Sequence, residues 1–214
     1  MSSILDLLNS DLGKQVISGV SAQTGQPTDK TNNVLNMAMP VLLGAMKRNA
    51  SSPQGAQGLM NALSNKHDGS ILNNLGGLFA GGVDDDVQKD GDNILGHILG
   101  PKRPVMENAI GQQAGVDSST VSQILKVAAP ILMGMLGKQT REAGVNNPNA
   151  ITGVLENFLG GSNPQTGNSS LLESILDADG DGSVIDDVAG MLLGGSKKKS
   201  GGLGGMLGGM LGGK

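Results

Sequence analysis

Val34-Leu35-Asn36-Met37-Ala38-Met39-Pro40-Val41-Leu42-Leu43-Gly44 and Ile124-Leu125-Lys126-Val127-Ala128-Ala129-Pro130-Ile131-Leu132-Met133-Gly134 are the two stretches that decide the fold. They align without a gap at an offset of 90 residues, with proline and glycine at matching places. Around the first, Val34, Leu35, Ala38, Val41, Leu42, Ala45 and Met46 recur at steps of three and four. Val121, Ile124, Leu125, Ala128, Ile131, Leu132, Met135 and Leu136 do the same around the second. That period belongs to a helix with one buried face. Thr28 or Asp29, and Ser118 or Ser119, are suited to cap the two helices at their N-termini. Pro40 and Pro130 fall inside the pattern, where each removes a backbone donor, so a kink or a break between two short helices is expected there.

Working outward, the same offset pairs Gly25 with Gly115 and Thr28 with Ser118. Farther downstream, with small gaps, Ala62-Leu63 matches Val154-Leu155, and Ser70-Ile71-Leu72 matches Ser170-Leu171-Leu172. Asp85-Asp86-Val87 matches Asp186-Asp187-Val188 in turn. Order is kept over so many points that an internal duplication is the natural reading. Residues 1–90 form a first helical repeat and 91–195 a second, with a Lys/Gly-rich tail at 196–214. The connections are polar and rich in Gly, Asn and Pro, as at Ser51-Ser52-Pro53-Gln54-Gly55 and Asn146-Asn147-Pro148-Asn149. No stretch alternates with period two for long enough to build a sheet. The expected class is all-α.

Composition narrows the functions. Of the 214 residues 36 are Gly and none is Cys, Trp or Tyr, so the core must be aliphatic, and thiolate sites and disulfides are excluded. A formal charge of −4 with 1% aromatic residues argues against nucleic acid as a partner. The start, Met1-Ser2-Ser3-Ile4-Leu5-Asp6, lacks a positive segment and does not read as a signal peptide. The longest apolar run, Val127 to Gly137, is short of the ~18–20 residues of a membrane span. A soluble, cytoplasmic protein with no transmembrane segment is expected, unless another route exports it.

Gly91-Asp92-Asn93-Ile94-Leu95-Gly96-His97-Ile98-Leu99-Gly100, then Gln113-Ala114-Gly115 and Ala129-Pro130-Ile131-Leu132, resemble the YidB-like family of bacterial proteins. That family is a domain of unknown function whose members are small, helical and Gly-rich. The resemblance covers about 90–195 well and 1–80 more loosely, through the duplication. It implies helices and a bacterial source and brings no activity with it.

Asp177-Ala178-Asp179-Gly180-Asp181-Gly182-Ser183-Val184-Ile185-Asp186-Asp187 resembles the first half of an EF-hand calcium loop. Oxygen ligands at positions 1, 3 and 5 come from Asp177, Asp179 and Asp181, Gly182 makes the turn, and Ser183 offers its carbonyl. Val188 stands where the closing Glu belongs, so Asp186 or Asp187 must close the loop, and weak calcium binding is expected. The plainer alternative is an acidic turn in which Ser183 and Asp186 form a capping box. Capping leaves three alternating Asp unexplained.

His67 and His97 are the only histidines and lie in different halves, where a loop residue and a helix-packing residue are the simple readings. Gly208-Gly209-Met210-Leu211-Gly212-Gly213-Lys214 mimics a phosphate loop but has no following Ser or Thr and no preceding strand. In the tail, Leu203, Met206, Leu207, Met210 and Leu211 fall at helical spacing with Gly between them. Four glycines within that span cost about 4 kcal/mol relative to Ala, so a flexible tail is expected. Three functions follow in order: a non-catalytic helical protein with one structural calcium; a self-assembling (homo-oligomeric) or membrane-surface protein acting through the tail; and a carboxylate-based hydrolase.

Overall fold

The computed structural model describes residues 3–160. Among them there are nine α-helices, three short 3-10 turns and no strand, so the all-α class holds. The helices are α1 (Ile4–Asn9), α2 (Asp11–Thr24), α3 (Thr28–Ala50), α4 (Pro53–Asn65), α5 (Leu75–Phe79), α6 (Asp85–Leu99), α7 (Arg103–Ala114), α8 (Ser118–Glu142) and α9 (Ile151–Phe158). The Asp-rich loop 177–187 and the tail 196–214 lie outside the described residues.

The two long helices begin where the periodicity placed them, at Thr28 and Ser118, each entered through a glycine turn. Gly25 and Gly115 end α2 and α7 in the left-handed region, at φ of 65° and 68°. In both turns the next residue's N–H returns to the helix, Gln26 to Ser21 O and Val116 to Gly111 O. A side chain at either glycine would be strained in that conformation, which ends the helix and reverses the chain. The caps differ from expectation. Thr28 and Ser118 are already helical, and Asp117 caps α8 by accepting from the Thr120 N–H at 2.7 Å. Pro27 precedes α3 and makes no side-chain cap.

Both helices run on through their prolines rather than breaking there. Pro40 and Pro130 are buried inside helices of 23 and 25 residues. One lost hydrogen bond is small beside the packing of a central helix, whose stability comes mainly from its tertiary contacts. α8 packs most extensively on α6 and α7, and it also touches α2, α3, α4 and α9. The buried side chains from α1 to α9 form a single cluster, from Ile4 and Leu8 through Leu35, Leu42 and Leu125 to Leu155 and Phe158. α8 is apolar and long enough to cross a membrane, but 78% of its most apolar window is buried in this cluster. Its hydrophobicity is spent on the core.

Candidate functional site: a cleft between α4 and α6

α4 and α6 lie over α3 and α8 with a cleft of about 810 Å³ between them. Each wall is one stripe of a helix. From α4 and the residue that ends it come Gly55, Gly58, Leu59, Ala62 and Lys66; from α6 come Asp90, Asn93, Ile94, His97 and Ile98. Those spacings of three and four put every member on one face. Met46 of α3 and Met133 of α8, both buried, complete the apolar lining.

The end of the cleft is built by the turn from α3 into α4. Ser52 caps α4, accepting from the Gly55 N–H at 3.1 Å. A methyl group at Gly55 would lie 1.8 Å from Asn49 O, so only glycine allows this turn. Asn49 in turn donates its Nδ2 to the carbonyls of His97 and Ile98, at 3.3 and 3.2 Å, tying the last turn of α6 to α3.

Polar groups gather at the other end. Lys66 pairs with Asp90 Oδ1, and His67 Nε2 stands 3.7 Å from Asp90 Oδ2. The His67 side chain is only 7% exposed. Burial pushes its pKa below the ordinary value; Asp90 acts against that and Lys66 with it. His67 is held from behind by α8, where a methyl at Gly137 would lie 1.7 Å from His67 O. A neutral imidazole at this depth can exchange one hydrogen bond with a ligand. At 3.7 Å from Asp90 the pair is outside hydrogen-bonding distance.

The cleft's two hydroxyls are already engaged. Ser51 Oγ donates to Arg48 O at 2.6 Å, and Ser52 Oγ to Asn49 O at 3.1 Å. Among the described residues no three His, Asp or Glu side chains converge as a metal-binding group. Asp177, Asp179, Asp181, Ser183, Asp186 and Asp187 fall outside the described residues.

Nothing along the chain indicates that His67 and His97, thirty residues apart, would line one cleft. The available signal was on α4: small residues at 55, 58 and 62 mark a helix face that does not fill its own space.

A second polar cluster ties α6, α7 and α8 together. Arg103 Nε donates to Glu107 Oε1 at 2.7 Å, and Nη2 reaches Asp92 Oδ1 and Ser122 Oγ, each at 3.0 Å. Lys126 joins Asp92 at 3.0 Å, and these cations hold the Asp92 carboxyl below its usual range. Every member bonds inward to the cluster, which reads as a fastening between helices.

Fold and site together define an all-α protein with two long central helices and a lined cleft between α4 and α6. The family model described as bacterial protein of unknown function (DUF937) matches residues 6–139, and the chain belongs to that family. The match reaches from α1 to α8 and takes in the whole cleft. No curated protein and no solved structure matches the chain.

Proposed function

We propose that the protein is a non-catalytic helical binding protein whose working site is the α4–α6 cleft. The ligand it suits is an apolar molecule carrying one anionic group. The observation that carries this reading is the lining: Leu59, Ala62, Ile94, Ile98 and the two methionines supply apolar surface, while Arg48 and His97 stand around it and Lys66 is taken up by Asp90. Such a cavity falls in the ~300–1,000 Å³ range of small-molecule sites, with few polar groups to orient the ligand. Binding rather than hydrolysis is favoured because the single carboxylate in the lining, Asp90, is tied to Lys66 and both serines serve helix ends.

The test uses 8-anilinonaphthalene-1-sulfonate, an apolar anion, on the full chain. A saturable, blue-shifted rise in its fluorescence is expected. Ala62→Phe should fill the cleft and weaken binding by about tenfold or more, a loss of ~1.4 kcal/mol. Arg48→Glu should weaken it as well, with helicity unchanged. A folded chain that does not bind the probe, or that binds it equally with Ala62→Phe, would overturn the reading.

The Asp177–Asp187 loop, with Asp179, Asp181, Ser183 and Asp186, adds a structural calcium in the same proposal. The supporting feature is the alternating Asp run closed by Gly182. With affinity on the order of 10⁻⁴–10⁻³ M, ~10 mM calcium should raise the melting temperature by several degrees. Magnesium should do much less, because its rigid octahedron suits such a loop poorly. Asp181→Ala should abolish the calcium shift. Equal shifts with both ions would leave the loop as a cap only.

A further inference from the structure

We infer that the α3 face formed by Met37, Val41 and Gly44 is the docking site for this chain's own segment Ser170–Leu172. The argument begins on α8, where the corresponding face is closed. Val127 and Ile131 are buried, and at Gly134 the covering chain can be identified. A methyl at Gly134 would lie 2.5 Å from Ile71 Cγ2 and 3.8 Å from both Leu72 Cγ and Gly69 Cα. The 3-10 turn Ser70–Asn74 is thus laid across α8, and Gly134 is the residue that lets it approach.

α3 presents the same surface. Its helix starts 90 residues before α8, so Met37, Val41 and Gly44 occupy the places of Val127, Ile131 and Gly134. All three are only half-buried, whereas their counterparts on α8 are buried. An apolar and small-residue stripe at i, i+4 and i+7 is therefore left partly open on one central helix and shut on the other. The chain contains a second copy of the cover: Ser170-Leu171-Leu172 repeats Ser70-Ile71-Leu72, an apolar pair after a serine.

Reach is sufficient. The cover on α8 follows the end of α4 at Asn65 and the proposed one follows the end of α9 at Phe158. Twelve residues lie between Phe158 and Leu171, and at ~3.3–3.6 Å per residue that connection spans up to roughly 40 Å. α9 already packs against α3, with Glu156 Oε1 2.9 Å from Lys47 Nζ, so it leaves from beside the proposed seat. Lys47 also marks where the likeness ends. It stands in the place of Gly137, against which the His67 backbone is pressed, so the approach at that end of α3 must be looser. The docked part is then Ser170–Leu172 and not the residues before it. The inference is independent of what the cleft binds.

The test exploits the absence of cysteine from the chain. In the full-length protein, Val41→Cys with Leu172→Cys, treated with a short bis-maleimide, should cross-link within one chain. The pair Val41→Cys with Leu207→Cys, which asks whether the Gly-rich tail takes the seat instead, should react at least about tenfold more slowly, the advantage of a held geometry over a tethered collision. Adding Gly44→Leu should remove that advantage. In the chain without cysteines, Gly44→Leu should also speed cleavage after Glu173 by a Glu-specific protease by about tenfold, since the bond adjoins the docked segment. Val41→Asn is the milder variant should Gly44→Leu lose helicity, and it should act in the same direction. Equal rates for the two pairs, products that join two chains, or cleavage after Glu173 unchanged by both face variants would each overturn the inference.

Discussion

His67 shows how a residue's position in the fold changes what it does. In the unfolded chain its imidazole titrates near the ordinary value of ~6.5. In the fold, burial outweighs Asp90 and lowers that value. The unfolded state therefore binds more protons in the interval between the two values, and stability rises with pH there. The contribution is complete above about pH 6.5 and is lost as the pH drops toward the folded value. Melting temperature should fall between about pH 7.5 and 5, and His67→Gln should flatten that part of the curve. A profile unchanged by the substitution would remove His67 as the cause. Arg103 offers a second test at this scale. Its Glu107 partner is a buried residue, so Arg103→Met strands a carboxylate among α6, α7 and α8. A loss of about 2–4 kcal/mol is expected, near the lower part of the range for breaking a buried pair, because the side chains keep some contact with water. The double variant Arg103→Met, Glu107→Leu should recover most of it.

At the scale of the element, two glycines on α6 separate helix propensity from packing. Gly96 has open space where a side chain would go, whereas a methyl at Gly91 would lie 1.8 Å from Lys126 O on α8. Gly96→Ala should stabilise by about 0.5–1 kcal/mol through the lower entropy of the unfolded chain. Gly91→Ala gains the same term but must push α6 off α8, and overpacking of that kind costs about 1–3 kcal/mol. The same substitution, five residues apart on one helix, should thus shift chemical-denaturation midpoints in opposite directions. Two shifts of the same sign would mean that α6 does not approach α8 so closely.

For the whole molecule, the single hydrophobic cluster predicts one cooperative unfolding transition for α1 to α9, with no separate melting of the halves. Calorimetry checks this, and two resolved transitions would contradict it. Removing residues 196–214 should leave helicity unchanged and the melting temperature within ~4 °C of the full chain. A larger drop would mean that the tail contributes at least ~1 kcal/mol of docking for a chain of this size. Size-exclusion chromatography of the same two chains tests self-association through the tail: a shift from oligomer to monomer on deletion would support it.

The sequence by itself determined the class and the two central helices. Period-3.6 runs bounded by Gly25 and Gly115 were enough to set the class and the starts of both central helices. The steric limits on a left-handed residue and the need to bury Leu, Ile and Val act locally and leave a local pattern. It did not determine whether Pro40 and Pro130 would break their helices. Propensity argues for a break, and the packing that overrides it comes from residues distant in sequence. Nor did it show the cleft. His67 lies just past the end of one helix, His97 belongs to another, and Lys66 and Asp90 lie 24 residues apart. They meet because small residues on α4 leave room beside α6, while Gly137 and Gly91 let the His67 turn and α6 lie close on α8. Such a meeting depends on the distances between helix axes, which the identities of residues along any one helix do not carry.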